Sequence, residues 1–150
     1  MALNKIYAST QELHRDRALS LITSPSTAPS SVQPGVPVVV GARPAVSITA
    51  SGNATKTVSS GLPGGINSVV YDNGGVGNSA SPASATFAFD GTFEFAVTGA
   101  TASTANETAV YITSAGALTL TQGSNVLYGV VDYPVGYRRE AGRAAVKIGA

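Results

Sequence analysis

Residues 86–134 read TFAFDGTFEFAVTGATASTANETAVYITSAGALTLTQGSNVLYGVVDYP, and their pattern decides the fold. Short runs of alternating apolar and polar residues are separated by Gly, Asp, Asn and Ser. That is the rhythm of half-buried strands joined by tight turns. Between Phe87 and Phe95, the Asp90-Gly91 pair marks a turn. A two-residue loop would put the two pairs of Phe on opposite faces. A three-residue loop, Asp90 to Thr92, pairs Phe89 with Phe93 and Phe87 with Phe95, so that all four rings share one face. The three-residue hairpin is therefore the expected register. A loop of Ser114-Ala115-Gly116 follows the same logic. It pairs Ile112 with Leu118 and Val110 with Leu120, leaving Tyr111, Thr113, Thr119 and Thr121 on the other face. Val126 to Val131 reads as a buried strand, and Gly129 inside it marks a place where a backbone or a ring comes close.

Beyond this stretch, residues 132–142 (DYPVGYRREAG) form a long aromatic and basic loop. Arg143 to Ile148 is a final strand, with Ala145 or Val146 and Ile148 pointing inward. Upstream, Val36 to Val40 is a short apolar run. Ala45 to Ala50 alternates, placing Val46 and Ile48 on one face. Residues 51–65 read as a polar loop, Ile66 to Tyr71 as a strand, and residues 72–85 as a flexible Gly-rich loop. The expected fold is all-β, a compact barrel or sandwich of short antiparallel strands with an extended N-terminal arm.

Three segments divide the chain. Residues 1–23 form the arm. It carries Lys5, Glu12, Arg15, Asp16 and Arg17, and Ser9 with Glu12 fits a capping box, so one or two helical turns or an extended arm both suit it. Residues 24–37, SPSTAPSSVQPGVP, are rich in Pro and Ser and read as an extended linker. Residues 38–150 form the β domain. Deleting residues 1–23 is expected to leave that domain folded.

Only 11% of the 150 residues are charged, against roughly 25% in ordinary soluble domains. Small and β-branched residues fill the deficit. The net charge of +1 supplies no strong field for nucleic acid or anionic membrane. There is no cysteine, so disulfides and thiolate metal sites are excluded. No apolar run reaches the about 18 residues of a membrane span, and residues 1–21 lack the apolar core of a signal peptide.

Chemistry-bearing residues are sparse. His14 is the single histidine and reads as a solvated polar residue. The acids Asp72, Asp90, Glu94, Glu107, Asp132 and Glu140 are scattered, and Asp90 is explained by its turn. The Gly-rich pieces at 61–65 and 74–77 lack the Lys-Ser/Thr and the helix of a phosphate loop. No catalytic, cofactor-binding or metal-ligating residue is expected, and no small-molecule substrate. Arg138, Arg139, Arg143 and Lys147, flanked by Tyr133 and Tyr137, are the one cluster of the type enriched in protein interfaces.

Several pieces together resemble a family of small phage head proteins encoded near the major capsid gene and taken to be capsid decoration, or cement, proteins. They are Pro37 to Gly41, Pro44 to Ile48, Gly91 to Phe95, Ala109 to Gly116, Gly129 to Val131 and Val146 to Ile148. The resemblance spans roughly residues 35–149 and is one of strands and turns. It implies a β-rich structural protein, not an enzyme, that binds the outer surface of the icosahedral head as homotrimers. It further implies that the major capsid protein is the partner and the virion is the location. The contact residues expected on this reading are Leu3, Ile6, Tyr7 and Leu13 of the arm, with Tyr133, Tyr137, Arg138 and Arg139 of the late loop. The alternative is a receptor- or carbohydrate-binding module of a spike or fibre, in which Tyr71, Tyr133 and Tyr137 would meet sugar.

Overall fold

A computed structural model describes residues 5–7, 14–50, 56–59, 68–71 and 84–149. Residues 5–7, 14–16, 56–59 and 68–71 are described through their backbone pairing. Thirteen strands occur among the described residues: β1 (Lys5–Tyr7), β2 (His14–Ala18), β3 (Ile22–Ser24), β4 (Pro37–Val40), β5 (Arg43–Ser47), β6 (Lys56–Ser59), β7 (Ser68–Tyr71), β8 (Ser84–Ala88), β9 (Gly91–Thr98), β10 (Ala109–Ile112), β11 (Leu118–Thr119), β12 (Val126–Val131) and β13 (Arg143–Ile148). The fold is all-β, as the alternating pattern predicts.

Five strands close into a barrel. β9 pairs antiparallel with β13 from Gly91↔Ile148 to Ala96↔Arg143. β13 pairs with β12, β12 with β10, and β10 with β11. β11 then returns to β9 in a short parallel contact, Leu118↔Val97 and Thr119↔Thr98. Closure leaves fewer free edges than an open sheet does. Beside the barrel lies a five-stranded sheet in the order β2-β8-β5-β4-β3, and β6 and β7 form a separate hairpin.

Strand alternation buries the second sheet on both faces. Val39, Val46 and Ala88 join the barrel core, with Ile48 packed against it as the alternation of 45–50 predicts. Val38, Val40, Ala45, Phe87 and Phe89 face a second core, closed by Leu19, Ile22 and Val32. Inside the barrel, Phe95 stacks edge-on against Tyr128, with ring centroids 5.9 Å apart. The Tyr128 hydroxyl donates a buried 2.6 Å hydrogen bond to the Ala45 carbonyl and so ties barrel to sheet.

The hairpin expected at Asp90-Gly91 does not form. β8 pairs with β2 and β5, while β9 pairs with β13, β1 and β11. The Asp90-Gly91 step is a corner where the chain leaves one sheet for the other. Gly91 has a φ of 121°, which only glycine adopts readily. The four rings consequently split: Phe87 and Phe89 enter the second core, Phe93 and Phe95 the barrel. Each Phe pair finds a deeper apolar neighbourhood than a two-stranded ribbon offers.

The second hairpin forms as expected at its tip. Ile112 pairs with Leu118, and the Thr113 N–H donates to the Ala117 carbonyl at 2.8 Å. The ladder runs only to Tyr111↔Thr119, so the expected Val110–Leu120 pairing is replaced by a bond from the Leu120 N–H to the Thr98 carbonyl. Leu120 still packs against the barrel core. Gly129 sits at a close approach, as its place in an apolar strand predicts. A side chain there would run into the Lys147 carbonyl of the neighbouring strand. The register also slips at this point, from Val110↔Gly129 to Tyr111↔Leu127, so Tyr128 is the extra residue of a bulge. The bulge turns Tyr128 into the core and leaves Val126 and Leu127 on the surface.

The N-terminal residues are built into the fold more deeply than an arm and a linker imply. β2 pairs with β8 along five residues. Leu19 and Ile22 are each 3% exposed. The extended stretch before β4 covers the second core through Val32. It is held by Ser47, whose hydroxyl accepts from the Val36 N–H at 3.0 Å and donates to the Gln33 carbonyl at 2.5 Å. Removing residues 1–23 would thus strip β1, β2, most of β3 and two core side chains, so that deletion is not expected to leave the domain intact. The region 51–65, expected as a loop, contains β6, which pairs with β7 from Lys56↔Tyr71 to Ser59↔Ser68. The Ser9–Glu12 capping box and the greater part of 72–85 lie outside the described residues.

Candidate functional site

The loop at 132–142 joins β12 to β13 at one end of the barrel and is held from several sides. The Asp132 N–H donates to the Ala145 carbonyl at 2.9 Å, and the Asp132 carboxylate accepts from the Thr92 hydroxyl at 3.2 Å. The Tyr133 N–H donates to Asn106 Oδ1 at 2.9 Å, fastening the loop to the neighbouring 99–108 connection. Pro134 to Tyr137 then make a turn, closed by the Tyr137 N–H donating to the Pro134 carbonyl at 3.0 Å. Gly136, with φ 84°, occupies the position in that turn that requires a positive φ.

Aromatic stacking stiffens the base. Tyr133 is buried, and the Tyr137 ring lies 5.1 Å from it at 19°. The Arg139 guanidinium sits 4.4 Å from the Tyr133 centroid, a cation–π contact, with Nη1 3.5 Å from the Thr104 carbonyl. Below the turn, Arg143 Nε is 2.8 Å from the Glu94 carboxylate. Partial burial pushes the Tyr137 hydroxyl up to about 12, helped by the negative Glu94, to which it donates a hydrogen bond. Arg138 pairs with Glu140 at 3.4 Å, both exposed, a contact of little energetic weight.

At the tip stands Val135, fully exposed. An apolar side chain on a turn fixed by Gly136 and braced by two stacked rings loses little entropy on docking. Arg138 and Arg139 are exposed beside it. Among the described residues, no three His, Cys, Asp or Glu side chains converge as metal ligands would. What the arrangement can do is present a rigid apolar point flanked by cations.

Of the residues singled out in the sequence, Tyr133, Tyr137, Arg138 and Arg139 do come together here. Tyr133 is buried, and Tyr137 is half-buried and stacked on it. Ile6 and Tyr7 lie on β1, which pairs with β9 through Lys5↔Phe93 and Tyr7↔Thr92. Leu3 and Leu13 lie outside the described residues. Val135 is absent from the contact residues expected from the sequence, although an apolar residue inside a Pro-x-Gly-Tyr turn is a usable signal.

The two buried tyrosines predict opposite responses to loss of a hydroxyl. Tyr128→Phe removes the buried hydrogen bond to the Ala45 carbonyl and is expected to cost about 0.5–1.5 kcal/mol. The Tyr133 hydroxyl is buried with no hydrogen-bond partner among the described residues, so Tyr133→Phe is expected to be neutral or stabilising. Urea denaturation of both variants checks this, and equal losses would contradict it.

The raised Tyr137 hydroxyl carries a pH dependence. Its folded value lies above the unfolded value near 10, so its contribution is complete below pH 10 and is lost as pH rises through about 12. Burial pushes the Tyr128 hydroxyl up as well, in the same sense. Stability is therefore expected to fall across pH 10–12, less steeply in Tyr137→Phe. Equal slopes for variant and parent would refute the assignment.

The fold and this loop define the class: an all-β protein in which a closed barrel is backed by a sheet buried on both faces. Comparisons with models of protein families, with curated proteins and with solved structures found no match.

Proposed function

We propose that this chain is a capsid decoration protein that binds the outer surface of a phage head, as homotrimers bridging major capsid protein subunits. The observation that carries the reading is the loop at 132–142. It offers a preorganised apolar tip and two arginines, on a chain with few charges and no convergent set of metal ligands among its described residues. Such a surface suits contact with a protein lattice, where repeated weak contacts gain avidity. The strand-and-turn resemblance to decoration proteins points the same way. The carbohydrate reading needs exposed rings, whereas Tyr133 is buried and Tyr137 half-buried against it; the Tyr71 side chain lies outside the described residues.

The test is co-sedimentation with expanded shells that lack the protein, with unexpanded shells as control. Saturable binding to expanded shells is expected, weakened by Val135→Asp while the melting temperature is kept. Absence of binding to either shell, together with signal on a glycan array, would shift the assignment to the carbohydrate module.

A further inference from the structure

A second surface, away from the loop at 132–142, has its own chemistry. β12 meets β13 only at Val130↔Lys147 and Val131↔Val146. Val126 to Tyr128 therefore have no strand beside them on that edge among the described residues. A cleft of about 420 Å³ opens there, between the edge of β12, the end of β13 and the start of β5. Its walls include Leu127, Phe89 and Pro44, and its charged lining residues are Arg43 and Lys147. No acidic side chain lines it among the described residues. The Arg43 guanidinium lies 4.8 Å from the Phe89 centroid, which holds the cation against the apolar wall. Leu127, on the cleft wall, is 56% exposed. An apolar wall, two charged lining residues and a stretch of the β12 edge with no strand beside it among the described residues thus coincide.

We propose that this cleft is a docking site for an extended acidic segment of a partner protein. The segment adds to the edge of β12 through backbone hydrogen bonds. Its carboxylates meet Arg43 and Lys147, and an apolar side chain covers Leu127. Charge complementarity selects the acidic segment, and the apolar wall favours a peptide over a nucleic-acid backbone, which needs phosphate contacts along its length. The inference does not rest on the capsid reading, because it concerns a different face and a different chemistry.

The experiment measures fluorescence anisotropy of a labelled nine-residue peptide alternating Glu and Leu, against the full chain and against Arg43→Glu, Lys147→Glu and the double variant. A peptide with Lys in place of Glu, and a single-stranded oligonucleotide of similar length, are run alongside. Expected is saturable binding of the acidic peptide that weakens with salt and drops by roughly tenfold or more in the double variant, which then prefers the Lys peptide. Arg43→Gln, which removes charge without reversing it, should give an intermediate loss, and melting curves establish that each variant is folded. Binding of the acidic peptide that ignores both reversals, no binding at all, or tighter binding of the oligonucleotide would each overturn the proposal.

Discussion

Phe87→Ala and Phe95→Ala are each expected to lower the unfolding free energy by about 3–5 kcal/mol. The double variant is expected to lose the sum. Both rings are buried, yet they serve different cores. Phe87 packs with Leu19, Ile22, Val38 and Phe89, and Phe95 with Phe93 and Tyr128 inside the barrel. Residues without shared partners add to within roughly 0.5 kcal/mol. Had the two rings faced each other across a hairpin, truncating one would have relaxed the packing of the other, and the cycle would show a coupling of order 1 kcal/mol or more. A denaturant double-mutant cycle decides between them. A large coupling energy would mean that β8 and β9 pair with each other after all.

Gly129→Ala is expected to cost about 3 kcal/mol, the upper end for overpacking. The added Cβ would meet the Lys147 carbonyl and lie 3.0 Å from Val146 Cγ1. A flexible side-chain end can rotate away from such a clash, but a backbone carbonyl held in a sheet cannot. β12 and β13 would have to part where they pair, Val130↔Lys147 and Val131↔Val146, a pairing without which the ring of strands is broken. The variant should show a lower urea midpoint. It should also show faster amide exchange at Val131, whose N–H donates to the Thr108 carbonyl at 2.8 Å. A midpoint shift worth under about 0.5 kcal/mol would show that the strands are not in close contact there.

Both results bear on how function is carried. The loop at 132–142 owes its rigidity to the strands it joins, because Asp132 is anchored to Ala145 and Thr92. Loosening β12 against β13 would loosen the platform under Val135.

What short-range physics controls is legible in the order of the amino acids. Alternation marks the strands around Val38, Val46, Phe93, Val110, Val130 and Val146 and many of the residues on their inner faces. The Ser114–Gly116 loop is readable because a tight turn is set by a few adjacent residues. Gly129 is readable because a glycine weakens an apolar strand unless a close neighbour requires it. Which strand lies beside which is a matter of long-range packing. The same Asp-Gly step serves a hairpin or a corner between sheets. The choice depends on whether β8 and β9 gain more from each other or from β5 and β13, which are far apart in the chain. The same holds for the N-terminal residues: nothing local distinguishes a free arm from an edge strand, since β2 is a strand only by virtue of β8. The loop at 132–142 lies between these cases. Its residue types are legible, but the exposure of Val135 and the burial of Tyr133 follow from how the barrel end packs, and period-2 patterning carries no information about that.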